Sequence, residues 1–347
     1  MYISKNRSLI DSFLLLASIS MVLASLKTAS VIIVPFLISL AFAIMLSPLL
    51  NKLRTFHIPK VFSIVIIILI AVIPIISLIT HAGTQAHQLL LHIDDLKIQM
   101  LNSVNRFIDF TTKFGFNIKK EDIILAIDQS NITEIIKNLI KQTGNQFSNI
   151  FIILFTIIFM LLESDSFYHK IIYIQQKYHT DTTSLLQNIE KIKSYFLIKA
   201  KTSLLTALWI LTVLYFYDIK YFYLWATLAF FFNFIPVIGS IFAAIPPILL
   251  TLLSQEWLNA FYITIWYIII NITIGNILEP KIMGKGLGLS ALVIFLSMNF
   301  WGWMFGPAGM ILSVPLTMSM QFMFAKYETT QWFSLLLSDY PNTKQEQ

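Results

Sequence analysis

Between Gly286 and Ala325 the chain runs for 40 residues without one Asp, Glu, Lys or Arg, and between Tyr221 and Gln255 for 35. Six more such runs (12–26, 28–51, 61–93, 142–162, 202–217 and 257–278) bring the charge-free total to 206 of 347 residues. All 24 basic and 18 acidic side chains crowd into what remains. A helix of a soluble domain carries charges on its outward stripe, which none of these runs can do. The chain is therefore expected to fold in a bilayer, as an all-α polytopic membrane protein. With 57% hydrophobic and 12% charged residues, a soluble enzyme, a disordered chain and a nucleic-acid binder are excluded, despite a net charge of +6. An outer-membrane barrel is excluded too, because it would show ten-residue segments of alternating polarity. The absence of cysteine removes disulfides, thiolate metal sites and cysteine nucleophiles.

A helix needs roughly 20 apolar residues to cross about 30 Å of hydrocarbon. Segments near 9–26, 31–50, 61–80, 149–163, 202–217 and 258–278 are expected to be six full spans. Lys5 and Arg7 ahead of the first resemble a signal peptide. No small-x-small site closes it and a second apolar run follows at once, so an uncleaved span is expected. Between the third and fourth spans, 82–148 is a hydrophilic insert. Its stripe Leu89, Ile93, Leu96, Met100, Val104 and Phe107, and Asn131 three residues before Glu134, suit amphipathic helices. The expected parts are N-terminal spans over 1–81, the insert over 82–148, a fourth span with an amphipathic helix over 149–201, a core over 202–326, and a tail over 327–347. Lys52, Arg54, Lys60, the six lysines of 164–201, Lys281, Lys285 and Lys326 all lie inside if both termini are cytoplasmic, which places the insert outside.

The two longest runs are broken. The first carries Pro236, Gly239, Pro246 and Pro247; the second carries Gly302, Gly306, Pro307, Gly309 and Pro315. Each has room for two spans but is interrupted near its middle. Legs of 14 to 16 residues (222–235 and 310–325) measure only about 21–24 Å. Gly/Pro-interrupted segments in corresponding places point to a solute-binding site, because unwound backbone at membrane depth must line protein or water. By the charge distribution the first run starts and ends outside and the second starts and ends inside. Two opposed hairpins sharing a midplane site are expected; ordinary kinked spans with a tight turn are the alternative.

The stretch NILEPKIMGKGLGLS (276–290), the second broken run, and the P-x-x-G followed by a Pro-Pro pair in the first together resemble the autoinducer-2 exporter (AI-2E) family, in its quorum-signal transport branch. The layout agrees over nearly the whole chain, and the specific motifs lie in about 230–320. The resemblance implies a bacterial inner-membrane transporter assembled as a homo-oligomer, a pentamer. It makes Pro246, Pro247, Pro280, Lys281, Gly284, Pro307 and Pro315 structural positions of the family motifs. Ser290 and Ala291 stand where many relatives have a proline or a His-Pro pair, so no histidine role carries over. Members are described both as exporters of the signal and as sodium/proton antiporters. The implied cargo is a small polar solute, or a monovalent cation with a proton.

Several residues stand out as candidates. Glu279 ends a 22-residue uncharged run. A carboxylate costs about 2.5–3.5 kcal/mol at the bilayer centre, so Glu279 is a proton or cation candidate. The simpler reading leaves it at the cytoplasmic interface, paired with Lys281 or hydrated. Amides suit a hydroxylated solute, which singles out Asn233 and Asn299 beside the two breaks, ahead of Asn271 and Asn276; against this, membrane asparagines often bond a neighbouring helix. The substrate-path candidates are Asn233, Pro236 and Gly239 in the first run, and Asn299, Trp301, Gly302, Gly306 and Gly309 in the second. The aromatic residues from Tyr215 to Trp225 suit an interfacial belt. His81, His87 and His92 are spaced wrongly for a metal pair on a helix. With no P-loop, H-E-x-x-H or G-x-S-x-G, neither enzyme activity nor a cofactor or metal is expected. An envelope scaffold working through the insert is the alternative from another class.

Overall fold

The computed structural model describes residues 2–92, 98, 102, 112, 147–178, 183–254, 257–283 and 288–339, and helix is the only regular structure among them. That is what a bilayer demands of a spanning chain without a closed barrel, since each backbone N–H and C=O must find its partner within the segment. In order come α1 (Tyr2–Thr28), α2 (Ser30–Thr55), α3 (Lys60–Leu91), α4 (Phe147–Tyr178), α5 (Thr183–Phe216), α6 (Phe222–Phe232) and α7 (Gly239–Leu253). Then follow α8 (Trp257–Ile270), a π-helical stretch Asn271–Leu278, α9 (Glu279–Met283), α10 (Ala291–Ala325) and α11 (Gln331–Leu337). Among the described residues, six stretches are long and apolar enough to cross a membrane: α2, α3, 150–178, α5, 257–283 and α10. The third span runs on to Leu91, so Leu89 belongs to its last turn and not to a separate helix. Most of the insert, including Asn131 and Glu134, lies outside the described residues, as does Gly284.

The chain divides into two compact units, residues 1–64, 151–196 and 285–347 in one, and 65–150 and 197–284 in the other. In the first unit α1 and α2 pack on each other and on α10. Ser39, fully buried on α2, sets its hydroxyl 3.2 Å from the Ile153 carbonyl of α4. Asp165 accepts from Arg54 Nη1 and Lys60 Nζ, each at 2.9 Å, and links the ends of α2 and α3 to α4.

By length α10 could be one span, but it folds back on itself. Gly306 has φ 65° and ψ −150°, a region open almost only to glycine, and Pro307 after it has the fixed φ that starts a new helix. Trp301 Nε1 donates to Thr317 Oγ1 at 3.0 Å, whereas sixteen residues of straight helix would hold them about 24 Å apart. The legs are therefore 291–305 and 307–325. At the open end Gln321 Nε2 donates to the Gly288 carbonyl at 2.8 Å. At the tip Lys27, in the last turn of α1, sets Nζ 4.2 Å over the ring of Trp303. The tip thus stands level with the α1–α2 turn.

In the second unit the core joins Ile210, Val213 and Leu214 of α5, Leu224, Trp225, Ala226 and Ala229 of α6, Ala243 and Leu250 of α7, and Ile263, Tyr267 and Ile270 of α8. Helices α6 and α7 pack on each other as the legs of the first hairpin, and α7 packs on α8. The tip is tight. Ile238 N bonds the Pro236 carbonyl across Val237, whose φ of 66° gives the rare positive-φ form of the γ-turn. Any Cβ on Gly239 would overlap the Phe232 carbonyl. The aromatic belt holds only in part. Tyr215 and Phe216 face outward, but Trp225 is buried in the core, with Nε1 donating to the Lys220 carbonyl at 3.0 Å.

Candidate functional site

Helix α5 is amphipathic in the sense that a membrane imposes. Leu204, Leu205 and Leu208 are exposed, while Lys199, Thr202, Ser203 and Thr206 are buried. Their spacing of three, one and three residues keeps these four polar side chains on one face, and Ile210, Val213 and Leu214 continue that face as apolar core. A polar seam therefore runs down the interior of the second unit.

Two candidates from distant parts of the chain meet it. Glu279 Oε1 accepts from Lys199 Nζ at 2.8 Å, and both side chains are almost enclosed, 14% and 9% exposed. The other carboxylate oxygen lies 3.4 Å from Thr202 Oγ1. One turn of α5 away, Asn233 Nδ2 donates to Ser203 Oγ at 3.0 Å. The break in the first hairpin and the carboxylate of the 257–283 span thus converge on Lys199–Ser203. Lys281, the partner expected for Glu279, is exposed instead.

The backbone leading to Glu279 departs from a regular α-helix. Pro280 lacks the N–H that would bond the Asn276 carbonyl, and its ring crowds that oxygen. The eight residues before Glu279, Asn271–Leu278, widen to the π spacing. Such stretches are uncommon and gather at functional sites. Chemically, the seam offers a charge pair, three hydroxyls and an amide in a region screened from water. Hydroxyls and an amide of this kind are the groups that exchange hydrogen bonds with a small hydroxylated molecule.

The candidates of the second run do different work. Trp301 spends its only donor on the clasp to Thr317 and stacks on Phe305, with centroids 5.6 Å apart. Gly302 faces Met310, where a Cβ would come within 2.8 Å of Cγ, and a Cβ on Gly309 would overlap the Trp301 carbonyl, so both let the legs close. Asn299 is exposed and donates to the Phe295 carbonyl of its own helix at 2.8 Å. Pro236, Pro247 and Pro315 are buried, Pro246 is half-buried, and Pro280 and Pro307 are exposed. His81 stacks on Tyr223 with centroids 5.7 Å apart. Sequence reasoning missed Lys199, Thr202 and Ser203. Lys199 counts there as one more cytoplasmic lysine, although the 199, 202, 203, 206 spacing already marks a polar face entering a charge-free run.

The family described as AI-2E family transporter matches residues 16–329 of the chain. The "AI-2 transport protein TqsA" of Escherichia coli (strain K12) is 32% identical over 94% of this chain and 95% of its own length. A "Putative transport protein" of Haemophilus influenzae is 33% identical over 98% and 99%. "Putative transport protein YhhT" of Escherichia coli (strain K12) is 27% identical over 87% and 86%.

Proposed function

The chain belongs to the AI-2E transporter family and is a multi-pass bacterial membrane transporter, and from that premise we propose that it exports autoinducer-2 or a similar small polar solute. Transport is secondary, by alternating access, and the polar seam of α5 with Asn233 and Glu279 is the solute's binding surface. The observation that carries this reading is the convergence of Asn233 and Glu279 on one turn of α5. A hydroxyl-rich solute replaces the Asn233–Ser203 and Thr202–Glu279 contacts with its own. The distribution of Lys and Arg supports the inner membrane with both termini in the cytoplasm. Assembly as a homo-oligomer is part of the same proposal.

The Lys199–Glu279 pair favours one second reading, sodium/proton antiport, in which a cation or proton displaces the lysine from the carboxylate. Purified protein in liposomes separates the two. Efflux of labelled autoinducer-2 without sodium-driven proton movement is expected. Sodium-driven proton movement alone would replace the first reading with the second, and activity in neither assay would count against transport of both cargoes.

A further inference from the structure

Among the described residues, the stretch 326–339 that follows the last leg turns back toward the hairpin. Helix α11 folds back on the open end of the second hairpin, Phe333 meeting Phe324 with ring centroids 4.9 Å apart. Thr330 Oγ1 donates to the Phe324 carbonyl at 2.9 Å, next to the end of the second leg. The Leu337 carbonyl accepts from Ser290 N at 3.2 Å, and Ser290 caps the first leg with its own hydroxyl, which accepts from Val293 N. One short helix thus holds both legs at their base.

Its other face is open. Ser334 points inward and is buried, while Trp332, Leu335 and Leu336 share the outward face and are 61%, 66% and 64% exposed. A water-facing helix would carry polar residues there. This one has no charge from Thr329 to Ser338, with Glu328 and Asp339 just outside. Exposed Met323, in the last turn of the second leg, and Tyr327 carry the apolar surface from the hairpin to the helix. Tryptophan, tyrosine and leucine beside a span end are the composition of a helix lying in the membrane interface. We propose that α11 is seated in the bilayer interface, with Trp332, Leu335 and Leu336 in the headgroup–acyl boundary, and that it moors the base of the second hairpin to the lipid surface. The occupant is lipid because the surface continues that of a membrane-embedded leg.

The chain has no cysteine, so a single spin label can be placed on the full-length protein in liposomes. At Leu335→Cys, collision with oxygen, which partitions into lipid, is expected to exceed collision with a water-soluble nickel chelate at least threefold. At Glu328→Cys the order is expected to reverse. A chelate-dominated signal at Leu335→Cys would show water against this face and overturn the proposal. Low accessibility to both probes would show a covering protein, a second copy or another partner, and would overturn it equally. Leu336→Cys gives the same reading should Leu335→Cys fail to fold.

Discussion

Lys199 and Glu279 stabilise each other only as a pair. Removing either leaves the other charge nearly enclosed and uncompensated, which typically costs about 3–5 kcal/mol. Lys199→Ala and Glu279→Ala are each expected to lower the melting temperature in detergent clearly. The double replacement Lys199→Met with Glu279→Leu is expected to recover most of that loss, since apolar residues of similar size need no counter-ion. A double variant as unstable as the singles would show that the pair is not isolated. Gly306 makes a different demand, because its φ of 65° and ψ of −150° suit almost no side chain, although nothing lies within 4 Å of an added Cβ. Gly306→Ala is expected to cost about 1–3 kcal/mol through the backbone alone, read as a lower thermal midpoint.

The second hairpin is an element whose depth can be tested. Its tip stands beside the α1–α2 turn through Lys27 and Trp303. Pro307, exposed at that tip, is expected as Pro307→Cys to react with an impermeant maleimide from the same side of the membrane as Thr28→Cys. Labelling from the opposite side only would contradict the hairpin's depth. The cross-leg bond from Trp301 to Thr317 is worth about 0.6–1.7 kcal/mol by comparison with other membrane hydrogen bonds, so Trp301→Phe is expected to be a mild variant in thermal unfolding. The two breaks were legible in advance because Pro and Gly act locally: Gly306-Pro307 and Pro236-x-x-Gly239 interrupt a helix whatever surrounds them. The π stretch was not legible, since Gly275, the two asparagines and the β-branched residues of NITIGNIL weaken a helix without specifying a wider turn. Composition alone puts Trp225 in the belt, but burial depends on what packs against it, and neighbours from α5, α7 and α8 are invisible to local pattern.

For the whole molecule, charge-free length specifies the solvent, and the Pro/Gly breaks lie in the last third of the chain. The convergence of Asn233 and Glu279 needed a third participant, a face of α5, that local signals scored only as cytoplasmic charge. In the proposed function, the buried polar seam of the second unit is the surface that the solute meets. The claim that solute passes along this seam is tested most directly by autoinducer-2 efflux from liposomes carrying the Lys199→Met, Glu279→Leu double variant, once its thermal midpoint is shown to match the wild type. Efflux reduced at least tenfold in that folded variant is the predicted result. Efflux at the wild-type rate would contradict the account and leave the seam as packing.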